Sequence, residues 1–168
     1  EVLYQTGMRR AELIALQDKD WDLKQGQVRI FGKRRKERIV PVGEKLIRQI
    51  KQYVEARTEW SGSDNQPTFF VRKNNQGIVV PLSQSSLYNI VRARMGEVST
   101  LKKHSPHVLR HTFATHALTN GVDARTLSGI LGHTNASFTL DTYTHVTDDM
   151  KKNASTIVGS FMKDIMEV

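Results

Sequence analysis

Apolar residues recur at helical spacing along most of the chain and alternate with polar ones only in a short stretch near its start. From Val2 to Leu16, the residues Leu3, Met8, Leu13 and Leu16 fall near the helical repeat, and Gly7 interrupts them. This predicts a helix that either breaks at Thr6-Gly7 or has its main run from Met8. Trp21–Leu23, Gln27–Phe31 and Arg38–Val42 are short, partly alternating runs punctuated by Gly26 and Gly32, so a three-stranded antiparallel meander is expected. Leu46, Ile47, Ile50 and Val54 return to helical spacing up to about Arg57, and Ser61–Pro67 reads as a polar loop. A small hairpin is expected from Phe69–Val71 and Ile78–Val80, around Asn74-Asn75-Gln76-Gly77. Ser83 reads as the cap of a helix running to about Met95. After a basic connection, helices are predicted at about Pro106–Thr119, Ala124–Leu131, Ser137–His145 and Asp148–Met166, with Gly121 and Gly132 ending the first two. The sum is a mainly helical α+β domain with one small sheet.

Composition narrows the picture. The 168 residues are 38% hydrophobic and 25% charged, which fits one folded domain rather than a disordered chain. No apolar run reaches the roughly 18 residues of a membrane span. Cysteine is absent, which excludes a disulfide scaffold and thiolate chemistry and suits a reducing cytoplasm. The net charge of +8 points to a polyanion partner, because clustered Lys and Arg gain affinity by releasing counterions from phosphates. The chain opens at Glu1, without Met and directly in a helical stretch, so a fragment of a longer protein is expected.

Several residues suit phosphoryl transfer on a nucleic acid. Arg9 follows the Thr-Gly break, and His107 and Arg110 share one face of a predicted helix. His133 follows a Leu-Gly helix end, and Tyr143 lies ten residues later. Lys33 sits at the tip of a basic turn with Arg34, Arg35, Lys36 and Arg38. Two arginine forks can hold the non-bridging oxygens of one phosphate and stabilise its transition-state charge. A tyrosine hydroxyl can form a covalent phosphotyrosine, but with a free pKa of about 10 it needs a positive pocket or a base. Lys and His can move the protons. Each residue also has a plainer reading. Taken alone, Tyr143 is an ordinary helix tyrosine, Lys33 is one of five solvated charges on a turn, and Glu12 is a surface acid. Tyr4, Tyr53 and Tyr88 have no comparable surroundings. His107 and His111 have the spacing of a zinc pair, yet no Glu or Cys nearby completes a site.

Five segments resemble the tyrosine recombinases, the phage integrase family. Thr6-Gly7-Met8-Arg9-Arg10-Ala11-Glu12-Leu13 is similar to the first arginine box of that family. The segment from His107 through Arg110 to His116 is similar to the second box, almost residue for residue. Leu131-Gly132-His133 and Tyr143-Thr144-His145-Val146 resemble the third box and the nucleophile, and Phe31-Gly32-Lys33 with Lys36–Pro41 matches the catalytic hairpin. The order is also that of the family.

The resemblance implies a fold, a helical bundle with a small three-stranded sheet at the DNA face, and a set of roles. Arg9 and Arg110 would clamp the scissile phosphate, and Lys33 would protonate the leaving 5′-oxygen. His107 would act as base or proton shuttle, and His133 would hydrogen-bond a phosphate oxygen. Tyr143 would attack and leave a 3′-phosphotyrosine, with Glu12 orienting Arg9 from behind. Arg34, Arg35, Lys36 and Arg38 would contact DNA. The implied activity is site-specific cleavage and rejoining of duplex DNA without metal or cofactor, by an integrase in the bacterial cytoplasm. The alternatives are a type IB topoisomerase-like relaxation and a non-catalytic DNA-binding module. The ten-residue interval from His133 to Tyr143, where some relatives have nine, hints at a phage or mobile element. The family's N-terminal core-binding domain is expected to be missing. The implied assembly is a tetramer on DNA; the amphipathic tail 148–168 either packs in cis or docks on a neighbouring protomer, the reading favoured here.

Overall fold

The computed structural model describes residues 1–32, 36–63, 66, 68–98, 100, 104–143 and 146. Lys33, Arg34, Arg35, His145 and the tail 148–168 lie outside the described residues.

Helix α1 (Val2–Thr6) ends at Gly7, whose φ of 59° is left-handed, and α2 (Arg10–Ala15) starts three residues later. The break is therefore at Thr6-Gly7. Thr6 is fully buried there, its hydroxyl donating to the Val2 carbonyl at 2.7 Å and accepting from the Met8 amide at 3.3 Å. A 3-10 turn (Asp18–Asp20) leads into the meander β1 (Trp21–Asp22), β2 (Gln27–Phe31) and β3 (Glu37–Pro41), antiparallel in that order. Val28 pairs with Val40, and these two with Ile30 turn one face of the sheet fully into the core.

Helix α3 (Glu44–Ser61) buries Leu46 and Ile50 and ends at Gly62. It runs a turn past the expected end near Arg57, because Arg57 itself is buried and held by Asp18 at 2.6 Å. The second hairpin, β4 (Val71–Lys73) and β5 (Val79–Pro81), begins two residues later than its apolar run suggests. Phe69 belongs to the core instead: its ring packs against Trp21 and Tyr53 at 5.1 and 5.4 Å, and its amide donates to the Leu16 carbonyl.

Four helices complete the described chain: α4 (Gln84–Val98), α5 (Pro106–Thr119), α6 (Ala124–Leu131) and α7 (Ala136–Thr142). Ser105 and Pro106 start α5, the serine oxygen accepting from the Val108 amide. Asp123 caps α6 through the amides of Arg125 and Thr126, and Gly132 closes it with a φ of 64°. The main apolar cluster joins α1, α2, the sheet, α3 and α4, while a second one gathers Ala114, Leu118, Leu127, Leu131, Tyr143 and Val146. Helix α5 lies against α1 and α6 against both β3 and α7, so residues from both ends of the chain meet. The mainly helical α+β expectation with its three-stranded antiparallel sheet is what the chain adopts.

Candidate active site

The meeting point of α1, α2, β3, α5 and α6 carries three arginines and one carboxylate. Arg9 occupies the extended N-cap position of α2. Its amide donates to Glu12 Oε2 at 2.7 Å, its Nη1 to Glu12 Oε1 at 3.0 Å and its Nη2 to the Gly132 carbonyl at 3.3 Å. Two of the five guanidinium donors are thereby used, and the rest stay available on a side chain that is 42% exposed.

Glu12 also receives Arg38 in a fork, with Nη1 on Oε1 at 3.0 Å and Nη2 on Oε2 at 2.6 Å. Burial works against the Glu12 carboxylate, but the bonds from Arg38 and from the Arg9 amide outweigh it and hold the group below its ordinary value of 4.5. Arg38 donates its Nε to the Ile130 carbonyl at 2.7 Å as well. This corrects the expectation of Arg38 as an exposed DNA contact: its side chain is only 9% exposed, and all three donor nitrogens face protein acceptors. The physical reason is strand parity, since Arg38 points to the same side as the buried Val40. Lys36, by contrast, is exposed at the rim.

Arg110, on α5, is buried under the Gly7-Met8 turn. Its Nη1 donates to the Gly7 carbonyl, and its Nη2 to the Leu131 carbonyl at 2.9 Å and to His133 Nε2 at 3.0 Å. Burial first, and then the charges of Arg9 and Arg38, pull its pKa to about 10, against the opposing pull of Glu12. Arg110 thus remains a cation at neutral pH. Gly7 is required for this anchor. A Cβ there would overlap the Phe113 ring and approach Leu131 Cδ2 to 2.9 Å, on a backbone already left-handed. Gly7→Ala is expected to destabilise the protein by about 2–3 kcal/mol in chemical denaturation, from strain and overpacking together.

His133 follows Gly132 at the α6–α7 corner. Its Nδ1 lies 2.7 Å from the Thr139 hydroxyl, and its ring meets Phe138 edge-on at 4.9 Å. Burial, reinforced by Arg110, Arg9 and Arg38, pushes its pKa down to about 4, so the imidazole is neutral near pH 7. Arg9, Glu12, Arg38 and His133 line one open cleft of about 790 Å³ whose other side is Phe31, Gly32 and Lys36 of the hairpin. Arg9, Arg38 and Lys36 outnumber Glu12 and Glu37 along its lining, and Arg110 stands behind His133, which makes it an anion site.

Tyr143 caps α7 at its C-terminus and is 4% exposed, packed in the second cluster with its ring centroid 5.1 Å from that of His111. Burial raises its phenol above the ordinary value of 10, and Arg110 pulls the other way. His107 sits at the exposed start of α5, one turn before Arg110, and makes no hydrogen bond to another described residue. The structure thus brings Arg9, Glu12, Arg110 and His133 together as the motifs suggest. Lys33, Arg34 and Arg35 fall outside the described residues. What the motifs did not disclose is the role of the main chain, with the carbonyls of Gly7, Ile130, Leu131 and Gly132 holding all three arginines. The glycines were the one available signal.

The family model described as the phage integrase family matches residues 1–150. The chain belongs to the phage integrase family. A tyrosine recombinase XerC from Pelobacter propionicus is 40% identical over 149 residues, which cover 89% of this chain and 47% of the relative. The chain thus spans about half the length of the curated relatives it matches. Among solved structures, the XerA recombinase superimposes with a TM-score of 0.76 at 31% identity, covering 91% of this chain and 55% of that one. The XerH site-specific recombinase, in a pre-cleavage complex with its difH substrate, superimposes with a TM-score of 0.69 at 27% identity. That match covers 83% of this chain and 40% of XerH. The phage integrase family membership is therefore consistent from motif to fold.

Proposed function

We propose that this chain is the catalytic part of a site-specific DNA recombinase that cuts and rejoins duplex DNA through a 3′-phosphotyrosine at Tyr143. The observation that carries the reading is the cationic cleft lined by Arg9, Arg38, Lys36 and His133, with Arg110 bonded to His133 beside it. Arg9 and Arg110 stabilise the pentacovalent phosphate through the donors they keep free. Arg110 favours the phenolate of Tyr143, which burial alone opposes. Tyr143 Oη attacks phosphorus as its proton passes to His107, the P–O5′ bond breaks, and Lys33 protonates the leaving oxygen. Rejoining reverses these steps, and the phosphotyrosine keeps the bond energy. Glu12 orients Arg9, while Lys36 and the hairpin residues Arg34 and Arg35 hold the flanking backbone.

Family membership and the DNA-bound XerH complex support duplex DNA as the substrate. The proposal includes a tetrameric assembly on DNA with exchange of the tail 148–168, a core-binding domain outside this chain, and a bacterial cytoplasmic location. No described helix is long and apolar enough to cross a membrane. The ten-residue spacing before Tyr143 supports a mobile-element integrase.

The test is a suicide duplex nicked just beyond the cleavage site, incubated with the full-length protein in the presence of chelator. A covalent adduct mapped to Tyr143 by peptide mass spectrometry is expected. An adduct on another residue, or none at all, would overturn the proposal. Joining of two differently labelled sites separates recombination from simple relaxation.

A further inference from the structure

We propose that Arg38 is a positioning residue: its guanidinium fixes both acceptors that hold the Arg9 side chain at the cleft. Arg9 donates to Glu12 Oε1 at 3.0 Å and to the Gly132 carbonyl at 3.3 Å. Arg38 braces each of them. Its Nη1 and Nη2 reach Glu12 Oε1 and Oε2 at 3.0 and 2.6 Å. A carboxylate offers about four acceptor sites. With the Arg9 amide on Oε2 at 2.7 Å, each oxygen takes one donor from each arginine. The fork sets the plane of the carboxylate, and with it the direction in which the remaining lone pairs meet Arg9.

The same guanidinium lies against Gly132, where a Cβ would come within 2.8 Å of Nη1 and 3.1 Å of Cζ. Its Nε donates to the carbonyl of Ile130, two residues earlier, at 2.7 Å. Arg38 thus belongs to β3 yet sets the spacing between α2 and the end of α6, the gap that Arg9 bridges. Both partners of the fork are buried, at 9% and 6% side-chain exposure, so water competes little for these bonds. Charge alone does not supply this geometry. An ammonium is a point charge on a flexible stem and cannot fork on a carboxylate while holding a carbonyl.

The kinetic consequence of this role rests on the recombinase reading, and the geometric one does not. The experiment uses the full-length protein labelled with ¹⁵N-arginine, and the nicked suicide duplex. In the wild type the bonds at both terminal nitrogens of Arg9 should slow rotation about its Nε–Cζ bond and give two resolved Nη signals. Arg38→Lys, which keeps the charge, and Arg38→Met, which removes it, should each merge them. Both should slow first-order adduct formation at saturating DNA about ten-fold or more, the size of one lost hydrogen bond to a charged group. Affinity for the duplex should stay within about two-fold, with the slope of log affinity against log salt unchanged.

Merged Arg9 signals in the wild type, or resolved ones in both variants, would overturn the proposal. A wild-type rate in Arg38→Lys would overturn it by reducing the role to charge. Weaker binding with a salt slope smaller by about one would replace it with a phosphate contact. Lower stability with an unchanged rate in folded protein would leave Arg38 only a structural role and overturn it too. If Arg38→Met does not fold, Arg38→Lys carries every readout. If the wild type forms no adduct at all, the recombinase reading falls, and the nitrogen signals still decide whether Arg38 positions Arg9.

Discussion

Tyr143→Phe should abolish covalent capture of DNA while leaving the fold as stable as before. The ring of Tyr143 is a structural element, packed among Ala114, Leu118, Leu127 and Leu131, and phenylalanine keeps every carbon of it. The hydroxyl makes no hydrogen bond to another described residue, so its removal breaks no bond among them and spares a desolvation cost. The unfolding free energy should change by less than about 0.5 kcal/mol, or rise. Adduct on the nicked duplex should fall below detection, since no described residue lining the cleft is a tyrosine. Binding to intact duplex should be retained. Residual adduct in this variant would mean that another nucleophile is at work, and a large loss of stability would mean that the hydroxyl has a structural partner.

Glu12→Ala should cost about 3–5 kcal/mol of stability, the range for removing one partner of a buried ion pair. The carboxylate receives both terminal nitrogens of Arg38 and anchors Arg9 by side chain and amide. Without it, among the described residues, Arg38 keeps a cation in the interior with only the Ile130 carbonyl to face. Arg9 loses its orientation at the same time, so the cleavage rate should drop beyond what instability explains. The pH dependence has a definite sign. The folded-state value of Glu12 lies below 4.5, so the pair contributes fully above that pH and fades as pH falls through the lower folded value. The gap between wild type and variant, measured by urea denaturation, should therefore be widest near neutrality and narrow below pH 4.5. A gap under about 1 kcal/mol at pH 7 would show that Arg38 finds water or another acceptor.

Much of this was legible from the order of residues alone. Helices α5 and α6 fall where Pro106, Gly121, Asp123 and Gly132 place their ends, because caps and left-handed glycines act locally. The motifs likewise located Arg9, Arg110 and His133. What escaped were features set by tertiary context. Arg38 stands in a run of exposed cations, and only its parity with Val40 betrays that it turns inward. Phe69 reads as the start of a strand until Trp21 and Tyr53 close around it. Helix α3 outlasts its apolar stripe because the buried Arg57, paired with the half-exposed Asp18, continues the packing. Thr139 is a β-branched residue in a short helix, and nothing in its neighbours announces a histidine six positions earlier as its partner.

The carbonyls that seat the arginines have a consequence for how this protein can change. A carbonyl is the same on every residue, so the identities of Ile130 and Leu131 matter to the cleft through volume and backbone path, not through their own chemistry. Substitutions of similar bulk there should leave the anion site in place, and the specification collapses onto a few positions. Gly132 is one of them, because a Cβ would come within 2.8 Å of Arg38 Nη1, and Gly7 is the other. A library randomised at Ile130 and Leu131 should therefore retain DNA cleavage in many variants, whereas one randomised at Gly7 and Gly132 should lose it in most. The blueprint of the site is written in the course of the chain and guarded at two hinges without side chains.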